Sequence, residues 1–123
     1  MNLQSLVSIV DDDESVRESL PDLLGMFGMA SHTFSSAEEF LAKDGISRSK
    51  CLILDVGMPG MSGPELQKEL NRRKVNVPII FITGHRDDTL QSRLIEQGAI
   101  ACLIKPFSDA AMLEALNSAF RVK

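Results

Sequence analysis

Two hydrophobic periodicities alternate along this chain, and that alternation constrains its fold more than any other feature. Five short apolar runs recur: Leu6–Val10, Ala30–Phe34, Cys51–Asp55, Pro78–Thr83 and Ile100–Ile104. The first, third and fourth are nearly continuous in apolar residues and rich in Val and Ile, the pattern of strands covered on both faces. The second alternates and contains His32 and Thr33, which suits an edge strand. Between the runs the spacing changes to three and four. Val16, Leu20, Leu23, Leu24 and Phe27 form one stripe, and Ala37, Phe40 and Leu41 a shorter one within Ser36–Ala42. Leu66 and Leu70 follow a start at Ser62 or Gly63, with Pro64 in the first turn. Leu90, Leu94 and Ile95 lie in Arg86–Gln97, which stops at Gly98, and Leu113, Leu116 and Phe120 follow a cap at Ser108. Five strand–helix units with right-handed crossovers predict a doubly wound α/β domain, with a five-stranded parallel sheet and five helices on its two faces. Pro21 lies inside the first helical pattern. It costs about 3 kcal/mol there and predicts a kink or local irregularity.

A length of 123 residues suits one domain, expected to fill residues 1–123 and to leave no room for a second. With 17 acidic and 13 basic residues the net charge is −4, which argues against nucleic-acid contact by the domain itself. Cys51 and Cys102 sit in apolar stretches without metal-ligand spacing and read as small core residues in a reducing compartment. Met1–Ser8 lacks the pattern of a secretory leader, and no apolar run approaches the ~20 residues of a membrane helix. A cytoplasmic location is the expectation.

In open α/β sheets ligands bind beyond the carboxyl ends of the strands. Those ends deliver Asp11-Asp12, Asp55, Thr83-Gly84 and Lys105-Pro106 to one rim. Three carboxylates within about 5 Å repel by roughly 3 kcal/mol per pair at an effective dielectric of 20. Protonation or a cation relieves that repulsion. A hard ion such as Mg²⁺ takes carboxylates, a carbonyl and water, and a carboxylate can itself accept a phosphoryl group. Each residue alone has an ordinary explanation. Asp11 to Glu14 could cap a helix, Thr83 could end a strand, and Lys105 could be a solvated surface lysine. His85 reads as a rim residue, because a carboxylate nucleophile needs no base.

Ile9-Val10-Asp11-Asp12-Asp13, Leu54-Asp55-Val56-Gly57-Met58-Pro59-Gly60-Met61-Ser62-Gly63, Ile82-Thr83-Gly84-His85 and Lys105-Pro106-Phe107 together resemble the receiver domain of two-component response regulators. Ser36-Ala37-Glu38-Glu39-Phe40-Leu41 and Thr83-Gly84-His85 are most similar to its FixJ branch. The resemblance implies a flavodoxin-like strand order 2-1-3-4-5. It implies Asp55 as phosphoacceptor, and Mg²⁺ on Asp12, Asp55 and the Gly57 carbonyl, with Asp11 reaching the ion through water. Thr83 and Lys105 would each hold a phosphoryl oxygen, and the Lys105–Pro106 bond would be cis. The implied partner is a sensor histidine kinase, the implied output is control of transcription by a segment outside this chain, and phosphorylation would promote a homodimer through the fourth helix and fifth strand.

Two positions depart from the family pattern. Cys102 stands where such domains carry a Tyr or Phe that changes rotamer with the threonine, and Gly57 lacks the side chain often found there. Two rival readings follow from the residues. One is an interaction module that works without phosphorylation. The other is a haloacid-dehalogenase-like phosphohydrolase with an Asp nucleophile, which requires a second acid at the position held here by Gly57.

Overall fold

A computed structural model describes residues 6–121, so the first five residues of the leader argument, and residues 122–123, lie outside it. The strands are β1 (Leu6–Val10), β2 (Ala30–Phe34), β3 (Cys51–Asp55), β4 (Ile79–Thr83) and β5 (Ala101–Ile104). They form one sheet in the order β2-β1-β3-β4-β5, and every pairing is parallel. The helices are α1 (Glu14–Met26), α2 (Ala37–Ala42), α3 (Gly45–Arg48), α4 (Gly63–Arg72), α5 (Asp88–Glu96) and α6 (Asp109–Arg121).

The period of two sorts each central strand onto two cores. On one face Val10, Leu52, Leu54, Ile79 and Phe81 pack against Phe40 of α2, Leu66 and Leu70 of α4 and Leu94 of α5. On the other, Val7, Ile9, Ile53, Ile80 and Ile82 pack against Leu20 and Leu24 of α1 and Met112 and Leu116 of α6. All five residues of β3 and of β4 are buried, whereas β2 exposes His32 and Thr33 as an edge strand should. Local signals set the helix ends. Asp13, Ser36, Ser62 and Asp87 cap α1, α2, α4 and α5 with their side chains, and Ser62 with Glu65 completes a capping box. Ser108 Oγ accepts the Ala111 N–H at 3.0 Å at the start of α6. Gly98, at φ +111, follows α5 where the chain must turn left-handed.

The structure departs from the sequence reading at two places. α1 is continuous through Pro21, so any irregularity there stops short of a break. Leu20 and Leu24, one turn apart on the buried stripe, hold the helix on the sheet across the missing hydrogen bond. The short α3 is a sixth helix that the periodicity did not foretell. Four residues carry no helical stripe. Tertiary contacts fix this one instead. Gly45 lies directly against the Phe40 ring, Asp44 turns left-handed at φ 61, and Ser49 donates to the Gly45 carbonyl while meeting the buried Ser8 hydroxyl.

Candidate functional site

The carboxyl ends of β1, β3, β4 and β5 open into a cleft of about 420 Å³. Asp11, immediately after β1, is fully buried, and Asp55, the last residue of β3, is only 6% exposed. Asp12 is exposed at the mouth. One carboxylate oxygen from each of the three lies within 4.8 Å of the others. Asp13 turns away to cap α1 through the Ser15 N–H at 3.0 Å. The Ser15 hydroxyl and then its backbone N–H hold the Asp13 carboxyl below the usual carboxylate range. The acidic run thus divides: Asp11 and Asp12 face the cleft, and Asp13 serves the helix.

Lys105 follows β5 and spans two of the carboxylates, with Nζ 3.1 Å from Asp11 Oδ2 and 3.4 Å from Asp55 Oδ1. The Lys105–Pro106 bond is cis. Burial pulls the lysine pKa down, but the hydrogen bond and charge of Asp11, with Asp55 behind it, outweigh burial and raise it. One ammonium does not neutralise three carboxylates. Burial, and then the charge of Asp11, push Asp55 up to about 6 in spite of Lys105. A buried carboxylate held part-way to protonation, with hard oxygen donors at its side, is a setting that a divalent cation stabilises. The donor set fits Mg²⁺ better than a thiolate- or imidazole-binding metal.

Gly57 is exposed at the lip of the cleft, and a Cβ there would meet nothing within 4 Å. Gly63, the first residue of α4, is the opposite case. A Cβ there would collide with the Asp55 carbonyl, so the helix start abuts the strand end that carries the site. Thr83 reaches the cleft at the end of β4 and is 7% exposed. Its hydroxyl is engaged with its own loop, accepting the His85 N–H and donating to the His85 carbonyl, both at 3.2 Å. His85 is an exposed rim residue, as its position in the sequence implies.

The sequence reading brought Asp11, Asp12, Asp55, Gly57, Thr83 and Lys105 to one rim, and all six line this cleft. It overlooked Arg17, which donates from a terminal guanidinium nitrogen to the Asp11 carbonyl at 2.8 Å, and also Asp87 and Leu90, which complete the wall beside Thr83. Nothing in the spacing of Arg17 marks it. Asp87 carried a signal, as an N-cap two residues from a rim histidine. Cys102 is half-buried and lines a separate groove beside Ile95 of α5. Cys51 is buried, and burial pushes its thiol up to about 12.

Comparison with known proteins follows the same geometry. Residues 7–117 match the response regulator receiver domain. The transcriptional regulatory protein FixJ of Rhizobium meliloti is 43% identical over 113 residues, covering 92% of this chain and 55% of that protein. Nodulation protein W of Bradyrhizobium diazoefficiens is 41% identical over 116 residues, covering 94% of this chain and 51% of that protein. The crystal structure of FixJ-N superposes with a TM-score of 0.87 at 41% identity, covering 97% of this chain and 95% of that one. The chain spans about half the length of the curated relatives it matches.

Proposed function

This chain belongs to the response regulator receiver domain family of two-component signalling, and on that premise we propose that Asp55 is its phosphoacceptor, served by Mg²⁺ and Lys105. The observation that carries the reading is the convergence of Asp11, Asp12 and Asp55 within 4.8 Å, with Lys105 bridging two of them. Asp12, Asp55 and the Gly57 carbonyl hold the cation, and Asp11 supports it through water. Bound there, Mg²⁺ would screen the carboxylates and neutralise charge on the phosphoryl oxygens.

The remaining chemistry belongs to the chain. The Asp55 carboxylate attacks phosphorus, a P–O bond forms as the donor's P–N bond breaks, and the imidazole of the kinase histidine leaves with the electron pair. No base is required, because the nucleophile is already an anion above its pKa of about 6. Lys105 leaves its ion pair with Asp55 for a phosphoryl oxygen and keeps Asp11. Thr83 breaks its exchange with His85 and donates to another phosphoryl oxygen. That movement pulls on the loop leading into α5 and converts a local charge into a change of surface.

The surface so changed is the face of α5 and β5. Ile95 is 46% exposed there, and the groove beside Cys102 carries both signs of charge in Arg86, Asp88 and Glu96. Those features suit a phosphorylation-dependent homodimer, in which opposite charges face one another across a two-fold axis. Response regulator receivers take their input from histidine kinases, and the regulators matched here are named for transcriptional control, so transcription is the output proposed, through a segment outside residues 1–123. Among the described residues no helix is long and apolar enough to cross a membrane. A cytoplasmic location accords with that role.

The test is direct. With Mg²⁺ and a small acyl phosphate, the mass of the chain is expected to rise by one phosphoryl group, mapped to Asp55. Failure of the wild type to gain it, or an undiminished adduct in Asp55→Asn, overturns the assignment.

A further inference from the structure

Gly57, whose carbonyl the functional reading assigns to the cation, lies in the β3–α4 loop, residues 56–62, and has no side chain to anchor it. The loop is therefore fixed from elsewhere. Its start is tied to the sheet by the Val56 N–H, which donates to the Ile82 carbonyl at 2.9 Å, and it closes on itself through the Gly63 N–H to the Val56 carbonyl at 3.1 Å. Met58 is buried in the core. The far side of the loop is held by a residue from another part of the chain. The Met61 N–H donates to Glu38 Oε2 at 2.8 Å, across 23 residues of sequence.

Glu38 is the second residue of α2 and does not cap its own helix. That task falls to Ser36 and to Glu39, which accepts the Ser35 N–H at 2.7 Å. The Glu38 carboxylate instead stands just ahead of α4, where the positive end of that helix favours an anion. It also fills the space beside Gly60. That residue has φ +74, and a Cβ on it would stand 2.8 Å from Glu38 Oε2. Glycine, turn and carboxylate thus form one unit.

We infer that Glu38 is a positioning residue for the site: it pins the β3–α4 loop through Met61 and so holds the Gly57 carbonyl in place for the divalent cation. This inference rests on the functional reading for the role of Gly57 and adds a residue outside the rim of the sheet to the machinery. It predicts a dependence on an acceptor at the right reach. Glu38→Gln keeps an amide oxygen within reach of the Met61 N–H, Glu38→Ala removes the acceptor, and Glu38→Asp keeps the charge but falls one methylene short.

Two measurements on the full chain decide it: hydrogen exchange of the Met61 amide, and the half-saturating Mg²⁺ concentration read from the Gly57 amide shift. In Glu38→Ala and Glu38→Asp the Met61 amide is expected to lose protection, and half-saturation to rise about three- to tenfold, the range for one modest hydrogen bond. Glu38→Gln is expected to stay within about twofold of wild type on both measures. A purely structural role would lower the melting temperature of Glu38→Ala and leave the Mg²⁺ titration unmoved, and that result overturns the proposal. A wild type that titrates with Mg²⁺ yet gains no phosphoryl group overturns the functional reading alone, and Met61 exchange with the Mg²⁺ titration still decides on Glu38.

Discussion

The carboxyl rim of the sheet encloses a cleft of about 420 Å³, and the opposite rim encloses two, of about 450 and 480 Å³. By volume the opposite rim has the stronger claim. By chemistry it has none, because Val75, Asn76, Val77 and Pro78 line both of its clefts and Lys50 is the one charged residue among their walls. The carboxyl rim buries Asp11 and Asp55 beside Lys105. The difference teaches that a site here is made by charge withdrawn from water and only partly compensated, and that space alone makes nothing. Parallel topology supplies the asymmetry, since every strand points its last residue at the same rim.

The largest test of this contrast is Lys105→Ala. Removing the cation that spans Asp11 and Asp55 is expected to slow phosphoryl transfer to Asp55 about 10²- to 10³-fold at saturating Mg²⁺, the loss typical for one charge-stabilising donor. The rate of adduct formation by mass spectrometry checks it, and an unchanged rate would show that the buried lysine is merely structural.

Next in size is Gly63→Ala. A methyl group there meets the Asp55 carbonyl and the Phe81 ring, so a loss of about 2–3 kcal/mol is expected in urea denaturation. Gly57→Ala, at an open position on the same loop, is the paired control and is expected to stay near neutral.

A smaller effect concerns pH in the metal-free protein. Asp55 is raised from about 4 to about 6 by burial first and Asp11 second. The folded form therefore holds its proton over a window in which the unfolded form has lost it. Stability falls as pH rises from about 4 to about 6, and above that the full cost of the buried charge is present. Asp55→Asn removes the charge. It is expected to stabilise the fold by about 1–2 kcal/mol at pH 7.5, allowing for the lost pairing with Lys105, and by almost nothing at pH 4. Thermal melts at the two pH values, with chelator present, check the sign. A gain equal at both would remove the electrostatic explanation.

The smallest effect should come from the rim without a site. Asn76→Ala is expected to shift stability by less than about 0.5 kcal/mol and to leave Mg²⁺ half-saturation unchanged. A marked change in that titration would erase the contrast between the rims.

Much of this molecule was legible in the chain. The runs of β3 and β4 are apolar throughout, so they had to be covered on both faces, and a sheet with helices on both sides follows. Ser36, Ser62, Ser108 and Gly98 marked helix ends by local chemistry and do so in the structure. The site residues were legible because topology sends strand ends to one rim. α3 was not, since four residues show no period. Nor were Arg17 and Glu38, because each acts on backbone far along the chain, where a charged surface residue of a helix looks like any other. Pro21 misled in part. Its local cost is real, but the buried Leu20 and Leu24 carry the helix across it.

The sequence alone thus determined the layers, the direction of every strand and the set of chemically competent residues, since period, capping and turn chemistry act within a few residues. The tertiary structure alone decided which of four consecutive acidic residues are buried in the site and which cap a helix, how far Lys105 compensates them, and that α2 reaches over to hold the loop of β3. Those outcomes depend on distances between segments tens of residues apart. Burial and Coulomb interactions are set by such distances, and no local pattern encodes them.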